Sequence, residues 1–408
     1  MQRTTCVVAG GGPAGMVLGL LLARAGVEVT VLEKHGDFLR DFRGDTVHAS
    51  TVRLIDELGL GKQFRDLPQS KLQQVGVPGP NGLMVLGDVS RLRAPYNYIA
   101  MVPQWDFLDL LADAGKQEPA YTLRMNTEVT GVIRDGGKVV GVTYEDPDGE
   151  GSLYSDLVVA CDGRSSLLRR EAGLRPEEFP VPLDAWWFRV PRHETEEAET
   201  GGLRLNFNAG ELLLQINRGE FWQCAYLARK GFDAELRAEG LERFRERIIR
   251  INPELADRMT TLTTMDDVKV LDVKLDRLHQ WHTDGLLCIG DAAHAMSPIG
   301  GVGINLAVQD AVAAATLLAK PLLERRVTPA DLDKVRRRRW LPMVITQGLQ
   351  RFLHSKVFKP VLSGERVSYP TAPLLLTRLF PPLRAVPAYI VAIGFRPEHA
   401  PTFARRPQ

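Results

Sequence analysis

Two groups of glycines and acidic residues, centred on Gly10 and Gly290, have the spacing expected for binding a dinucleotide. In the first group, Gly10 permits a tight turn, Gly12 lets the backbone approach a pyrophosphate, and Gly15 lets a helix pack closely on a strand. Glu33 follows about 20 residues later, where a carboxylate accepts hydrogen bonds from an adenosine ribose. The predicted contacts of this group are Gly10, Gly12, Pro13, Ala14, Gly15, Glu33 and Lys34.

The second group follows an apolar stretch that ends at Gly290. Asp291 is placed to bond a ribityl hydroxyl or a phosphate-bound water, and the glycines after it open an apolar helix. The N-terminus of such a helix would stabilise the negative charge that a flavin gains at its pyrimidine edge on reduction. These residues therefore favour a redox-active flavin, and the predicted contacts are Gly290, Asp291, Pro298, Gly301, Gly303, Ile304 and Asn305.

The predicted elements that position these residues show two different patterns of hydrophobicity. Strands are predicted at residues 5–9, 27–33, 127–133, 138–144, 153–160 and 285–290, with helices at 16–24 and 305–318. Residues 186–190, 203–207, 211–216 and 221–227 alternate in polarity, which is typical of an antiparallel sheet with one covered face, and a charged helix follows at about 240–251.

The predicted fold is α/β, with a discontinuous Rossmann-like cofactor domain, an inserted antiparallel β-sheet substrate domain and C-terminal helices. The cofactor domain is expected at 1–72, 98–175 and 276–345, the substrate domain at 73–97 and 176–275, and the helical segment at 346–408.

The amino-acid composition limits the classes of molecule that the protein is expected to bind. The net charge of +1 over 408 residues provides no field for nucleic acid, so a small molecule is expected. Cys6, Cys161, Cys224 and Cys288 are too dispersed for a zinc site or a disulfide framework, which favours a reduced, cytoplasmic protein. The apolar run 385–395 is too short to span a membrane and predicts a packed helix or a lid. The four arginines at 336–339 predict a solvated helix.

Three motifs in order resemble the single-component FAD-dependent aromatic hydroxylases, the para-hydroxybenzoate hydroxylase-like group, over residues 1 to about 340. They are the glycine pattern at Gly10, the segment Asp162-Gly163-Arg-Ser-Ser, and Gly290-Asp291-Ala-Ala-His294 with the glycines after it. The resemblance implies FAD, and it implies NADH or NADPH as a transient co-substrate, in keeping with the single Gly-x-Gly-x-x-Gly unit. It further implies that Asp162 and Gly163 lie between the two cofactors' paths, and that Arg43, Gln104 and Val129 contact FAD.

The predicted activity is hydroxylation or epoxidation of an aromatic or polyketide-like molecule with O2, through a flavin C4a-hydroperoxide. An FAD-dependent reductase or dehydrogenase of an alkene such as an isoprenoid is one alternative, and a non-catalytic flavin-binding protein is another. Halogenation is disfavoured because no two tryptophans are spaced by one residue. A monomer or a homodimer is compatible with the sequence.

No side-chain nucleophile or metal is required, because the cofactor carries the difficult step. His294 is either a structural hydrogen-bonding residue near the flavin or an influence on its chemistry. His48 either relays a proton or has a surface or helix-capping role. For the substrate, Trp222 and Tyr226 share one face of the predicted sheet, and Phe207 projects from another of its strands. If this face points toward the flavin, it forms the wall of a substrate pocket. If a helix covers it, it is part of the core.

Overall fold

The computed structural model describes residues 2–39, 46–79, 82–193, 196, 203–208, 210–363 and 385–407. Arg43 lies outside these residues, so its predicted contact with FAD stays a prediction.

The strands of the described residues are β1 (Gln2–Arg3), β2 (Cys6–Ala9), β3 (Val29–Leu32), β4 (Thr46–Val47), β5 (Ser70–Leu72), β6 (Gln74–Gly79), β7 (Gly82–Asp88), β8 (Ile99–Met101), β9 (Tyr121–Arg124), β10 (Glu128–Asp135), β11 (Lys138–Asp146), β12 (Gly149–Tyr154), β13 (Leu157–Ala160), β14 (Pro176–Glu178), β15 (Leu183–Pro191), β16 (Leu203–Asn208), β17 (Glu211–Asn217), β18 (Phe221–Arg229), β19 (Lys269–Leu271), β20 (Asp276–Leu278), β21 (His282–Thr283) and β22 (Leu286–Cys288). The helices are α1 (Pro13–Arg24), α2 (Ala49–Glu57), α3 (Gly61–Asp66), α4 (Gln104–Lys116), α5 (Leu167–Glu171), α6 (Asp233–Ile251), α7 (Gly303–Leu323), α8 (Pro329–Leu353), α9 (Lys359–Leu362) and α10 (Ala385–Ala392).

A six-stranded sheet in the order β21-β22-β13-β2-β3-β9 organises the glycine-rich segments. All neighbouring pairs are parallel except β21 and β22. Strands β2, β3 and β13 are four-residue runs, apolar except for Thr30, and they are buried along their whole length, as expected where helices cover both faces of a parallel sheet. Because these strands are parallel, the segments that follow them emerge at one edge.

The second large sheet is antiparallel, in the order β16-β17-β18-β15-β19. Trp186 pairs with Tyr226 and Trp187 pairs with Ala225, so the two adjacent tryptophans point to opposite faces. Helix α6 covers the face that carries Trp186. The helix begins at Asp233, earlier than the sequence predicted, and Gly240 interrupts its helical conformation with a φ of 82°.

One predicted strand is wrong as a single element. Residues 153–160 belong to two strands, because Ser155 and Asp156 carry the chain from one sheet to another: their amides donate to Val140 O and Thr5 O. Strand β12 joins the sheet β1-β12-β11-β10, and β13 joins the six-stranded sheet. Smaller sheets are β4-β8-β5, β6-β7 and β14-β20.

Two apolar segments pack as core helices among the described residues. The stretch Ile299–Leu323 is long and apolar enough to cross a membrane by length and composition, but 72% of its apolar window is buried inside the protein, as in the core helix of a globular domain. Helix α10 buries Ala388 and Ala392 and leaves Tyr389 and Ile390 about half exposed. It is the packed helix that the C-terminal apolar run predicted. All four cysteines are free; Cys6, Cys224 and Cys288 are buried and Cys161 is partly buried.

Candidate functional site

The segments after β2, β3, β13 and β22 meet at one edge of the six-stranded sheet. The amide of Gly10 donates to Leu32 O at 2.8 Å, and the amide of Cys161 donates to Ala9 O at 2.8 Å. On the other side, the amide of Ile289 donates to Ala160 O at 3.1 Å. The carboxyl edge of a parallel sheet is where such folds bind ligands, so the sequence-distant motifs form one candidate site.

The first glycine loop has the geometry that its spacing predicts. Gly10 has a φ of 108°, and a Cβ there would lie 2.4 Å from Cys161 O. A Cβ on Gly15 would lie 1.9 Å from Gly10 O, so only glycine lets α1 approach the turn. A Cβ on Gly12 would meet no heavy atom of the described residues within 4 Å. Pro13 is the first residue of α1 and Ala14 is buried behind it. The open space beside Gly12, at a helix N-terminus, fits a pyrophosphate.

Glu33 lies beside this loop. Its carboxylate accepts hydrogen bonds from the amides of Gly11 at 2.8 Å and His35 at 3.1 Å. The amide of Thr127 donates to Glu33 O at 2.9 Å, which brings the start of β10 and its partly buried Val129 to the same corner. Lys34 points outward, 3.9 Å from Glu128. Gln104 is the first residue of α4 and is buried.

Asp162 shapes the turn after β13. One of its carboxylate oxygens accepts a hydrogen bond from the amide of Leu168 at 3.1 Å, near the start of α5. Burial raises the pKa of Asp162, and the hydrogen bonds from Ser166 and the α5 amides oppose that rise. Gly163 has a φ of 83°, and no heavy atom of the described residues lies within 4 Å of where a Cβ would be. Asp162 thus positions the turn, and Gly163 keeps its outer side open.

Gly290 and Asp291 lie where the segment after β22 meets the first glycine loop and α1. The Asp291 side chain is 31% exposed and lies 3.5 Å from the Arg164 guanidinium. Gly290 has a φ of 58°, and a Cβ there would come within 3.2 Å of the Cβ atoms of Ala14 and Ala307. Glycine at this position therefore lets the first turns of α1 and α7 approach each other.

His294 belongs to a buried ionic network. Its Nε2 lies 2.6 Å from Asp310 Oδ2, which also accepts a hydrogen bond from the amide of Gly290 at 3.2 Å. The other oxygen of Asp310, Oδ1, accepts from Arg339 Nε at 3.0 Å. Burial opposes the ionisation of Asp310, but His294 and Arg339 together hold its pKa below the usual value. This geometry favours the structural role for His294. The prediction of a solvated helix at 336–339 is wrong for Arg339, which is 1% exposed.

Side chains of α8 hold the loop between His294 and Gly301. Gln350 Nε2 donates to Ser297 O at 2.8 Å and to Ile299 O at 2.9 Å. His354 Nε2 lies 2.9 Å from Ser297 Oγ, and burial lowers the pKa of His354 to about 4. This support was not predicted, although polar residues recur at helical spacing along one face of α8 and into the residue that follows it: Arg339, Gln347, Gln350 and His354.

His48 is not on the surface, so that part of its predicted role is wrong. It is fully buried and precedes α2, but its side chain does not cap the helix. Its Nδ1 lies 2.7 Å from Val391 O and its Nε2 lies 3.0 Å from Gly301 O. Burial lowers the pKa of His48.

The start of α7 is fixed by α2. Asn305 Oδ1 accepts hydrogen bonds from Ser50 Oγ at 2.9 Å and Thr51 Oγ1 at 2.6 Å. Ile304 packs against the main core, and Gly303 begins the helix after Pro298 and the turn Ile299–Gly301. A Cβ on Gly301, whose φ is 61°, would lie 2.3 Å from Thr46 Oγ1. The loop therefore depends on glycine here.

The prediction that Trp222 and Tyr226 line a substrate pocket is not supported. Both belong to the cluster under α6, where the Tyr226 and Phe244 rings are 5.7 Å apart. Their polar atoms are used within the fold, because Trp222 Nε1 donates to Glu196 at 2.7 Å and the Tyr226 hydroxyl donates to Glu211 at 2.6 Å. Phe207 pairs with Leu212, so it lies on the opposite face, and it is 37% exposed.

That opposite face packs against a loop at the carboxyl edge of the six-stranded sheet. Its apolar cluster contains Trp187, Leu212, Ile216, Ala225 and Leu227 together with Met101 of β8, and Leu214 and Ile299 pack against it. Because Ile299 belongs to the loop held by α8, the sheet and the second glycine-rich segment share one apolar surface.

Comparison with known proteins decides the family. The FAD binding domain family matches residues 3–340. The chain belongs to this family. It is 34% identical over 343 residues to 6-methylpretetramide 4-monooxygenase of Streptomyces rimosus, covering 83% of this chain and 80% of the relative. It is 25% identical to digeranylgeranylglycerophospholipid reductase 2 of Methanopyrus kandleri, covering 82% and 81%.

Solved structures show the same fold. The anhydrotetracycline hydroxylase OxyS from Streptomyces rimosus superimposes with a TM-score of 0.76 at 22% identity, covering 96% of this chain and 76% of that one. The predicted membership of the FAD-dependent monooxygenases and the predicted FAD are confirmed.

Proposed function

We propose that the protein inserts one atom of O2 into an aromatic or polyketide-like small molecule and reduces the other to water, with NADH or NADPH as electron donor. In that reaction a substrate C–H bond, O2, NAD(P)H and a proton give C–OH, water and NAD(P)+. The observation that carries the proposal is the apolar sheet face that shares Ile299 with the loop before α7. The Streptomyces rimosus relative is named for 6-methylpretetramide, which supports the same class.

The residues at the carboxyl edge fit FAD. We assign the pyrophosphate to the open space at Gly12 and the first amides of α1, and the adenosine ribose to Glu33. Asp291, partly exposed at the same edge, is assigned to the ribityl region, and the amides of Gly303–Asn305 to the pyrimidine edge. When bound, FAD accepts electrons from NAD(P)H and activates O2, while the protein orients the reactants and excludes water.

We further propose that substrate binds against the sheet face opposite α6. Trp187 supplies the polar contact there. The buried indole N–H groups of Trp186, Trp222 and Trp281 donate to Asp233, Glu196 and Leu278 O at 2.7–3.1 Å. The indole N–H of Trp187 is buried without a hydrogen-bond partner among the described residues. An orphaned buried donor is costly, so an oxygen atom of the substrate is a fitting partner.

The domain assignment follows the same division. We propose that the six-stranded sheet and its helices, from 1–72, 98–175 and 276–345, form the discontinuous Rossmann-like FAD domain, and that 73–97 and 176–275 form the substrate domain. The enzyme is proposed to act as a cytoplasmic monomer or homodimer on a small aromatic molecule and O2.

The test is an oxygen-labelling experiment. Purified FAD-loaded enzyme is incubated with aromatic and polyketide-like compounds, NADH or NADPH, and 18O2, and products are analysed by mass spectrometry. We expect one 18O atom in the product and NAD(P)H consumption that rises when substrate is added. Products labelled from H218O instead, or no labelled product from the whole panel, would contradict the proposal.

One relative supports a second candidate function. The similarity to the Methanopyrus kandleri reductase keeps reduction of an alkene, such as an isoprenoid double bond, as the alternative. Strict anaerobiosis separates the two, because only a reductase would turn over a substrate without O2.

A further inference from the structure

His48 lies between two backbone carbonyls from segments far apart in sequence. Val391 O, 2.7 Å from Nδ1, belongs to the C-terminal helix α10. Gly301 O, 3.0 Å from Nε2, belongs to the loop that leads into α7. The side chain is fully buried, so water does not compete for either ring nitrogen.

A neutral imidazole cannot satisfy both carbonyls. Carbonyl oxygens only accept hydrogen bonds, and neutral histidine has one N–H, on Nδ1 or on Nε2. Burial disfavours the doubly protonated form. In either tautomer, one contact of His48 is therefore a hydrogen bond, and the other brings a nitrogen lone pair against an oxygen lone pair.

The two carbonyls differ in their other donors. Gly301 O also accepts from Thr46 Oγ1 at 2.8 Å. Val391 is the second-last residue of α10, in the turn whose carbonyls have no partner within a helix. When the His48 proton is on Nδ1, both carbonyls have a donor. When it is on Nε2, Val391 O loses the donor that His48 supplies.

Helix α10 docks on the segment that carries His48. Ala388, Ala392 and Ile393 share a buried cluster with Ala49, which follows His48 in sequence. Ala388 packs so closely on β7 that a Cβ on Gly87 would lie 3.0 Å from its amide nitrogen. A shift of α10 therefore changes the surroundings of His48 directly.

We propose that His48 couples the docking of α10 to the placement of the loop that contains Gly301. The loop precedes the N-terminus of α7, to which the flavin pyrimidine edge is assigned. FAD binding and the docking of α10 are therefore linked through one proton on one side chain. His48 is a positioning residue in this arrangement, and the C-terminal helix becomes a determinant of cofactor affinity. The inference depends on FAD binding and not on the identity of the substrate.

Linkage between two sites is reciprocal, which gives two readouts in the parent enzyme. Hydrogen exchange of the amides at 385–394, measured by mass spectrometry with and without FAD, should differ by about 5-fold or more, the lower end of typical couplings. Ala388→Leu, which enlarges a side chain packed on Gly87, should weaken FAD binding by a similar factor in a fluorescence titration. Neither measurement requires turnover.

His48→Phe removes both ring nitrogens and should abolish the coupling. FAD would then leave exchange at 385–394 unchanged, and adding Ala388→Leu would no longer alter the Kd for FAD. Thr46→Val is the matched control, because it removes the other donor to Gly301 O and retains His48: its FAD affinity should fall while the coupling persists. If His48→Phe does not fold, His48→Asn is measured in the same way and should reduce the coupling. Coupling of parental size in the His48 variants, or no coupling in the parent, would overturn the proposal.

Discussion

At the scale of single residues, the glycines of the first loop differ in what a side chain would meet. Gly10 and Gly15 are required by the fold, since a Cβ on either would overlap backbone atoms. Gly12 is different, because nothing in the described residues explains its lack of a side chain. Under the proposed assignment, the pyrophosphate of FAD needs this space.

We therefore expect Gly12→Val to weaken FAD binding by about 100-fold or more, roughly 2.7 kcal/mol, because the side chain would occupy the pyrophosphate space. The measurement is the Kd for FAD by fluorescence titration of the apoprotein. Gly348→Val is a matched control, since Gly348 is exposed on α8 and a Cβ there also meets no heavy atom of the described residues within 4 Å. Full FAD occupancy in purified Gly12→Val would refute the assignment.

Trp186 and Trp187 provide a second residue-scale comparison. Trp187→Phe should raise the KM for substrates that carry a carbonyl or hydroxyl oxygen by about 10-fold, because that oxygen loses a buried donor, and should leave FAD affinity unchanged. Trp186→Phe removes the hydrogen bond to Asp233 on the α6 face, so it should cost stability and leave the KM alone. Equal KM effects in the two variants would place Trp187 outside the substrate site.

His354 makes stability depend on pH in a predictable direction. Its pKa is lowered to about 4 in the fold, so between pH 6.5 and 4 the unfolded chain binds a proton that the folded chain does not. The contribution of His354 to the free energy of unfolding is fully present above pH 6.5 and is lost as the pH falls toward 4. After allowing for solvent screening, we expect the parent to lose about 1 kcal/mol more than His354→Gln between pH 7 and 5. Urea unfolding of both proteins at the two pH values measures the difference. An equal loss in the two proteins would contradict this account of His354.

At the scale of elements, α8 acts as the support of the loop before α7. Gln350→Leu would leave Ser297 O and Ile299 O without their buried donor, at a cost of about 1–3 kcal/mol. We expect weaker FAD binding and faster hydrogen exchange in residues 295–301. Thr346→Val serves as the control, because the Thr346 hydroxyl donates to Pro342 O within α8. Unchanged exchange in Gln350→Leu would show that the loop holds its shape without α8.

The elements also show which features sequence can predict. The role of Gly15 is local, because the strand, turn and helix that need it are contiguous, and its spacing from Gly10 was sufficient. Gly10 has a distant reason as well, since a Cβ there would meet Cys161 O just after β13, a contact that the local pattern does not predict. The pairing of Asp310 with Arg339 joins residues 29 positions apart on two helices, and no local pattern predicts it. Alternation in β18 correctly indicated two faces of the sheet. It could not indicate which face α6 would cover, because that depends on how the chain after Arg229 folds back.

At the scale of the whole molecule, the enzyme places an apolar sheet face against the edge where four motif segments converge. The two faces of that sheet pack against different parts of the protein. The face under α6 is closed core, with Leu213 fully buried in it, whereas the partly buried Leu214 packs against the cluster that Ile299 of the loop also joins. Leu213 and Leu214 therefore allow the proposed substrate face to be tested separately from the closed core.

Leu213→Ala should destabilise the fold by about 2–5 kcal/mol through a core cavity, and should leave the ratio of peroxide to product at the parental value in the molecules that remain folded. Leu214→Ala should cost less stability. It should release more hydrogen peroxide per product formed, because a loosely filled pocket admits water and lets reduced O2 escape before it reaches the substrate. NAD(P)H consumption, peroxide and product are measured together in both variants and the parent. If Leu214→Ala keeps the parental ratio while Leu213→Ala raises it, the substrate lies on the α6 side, and the assignment of the two sheet faces is reversed.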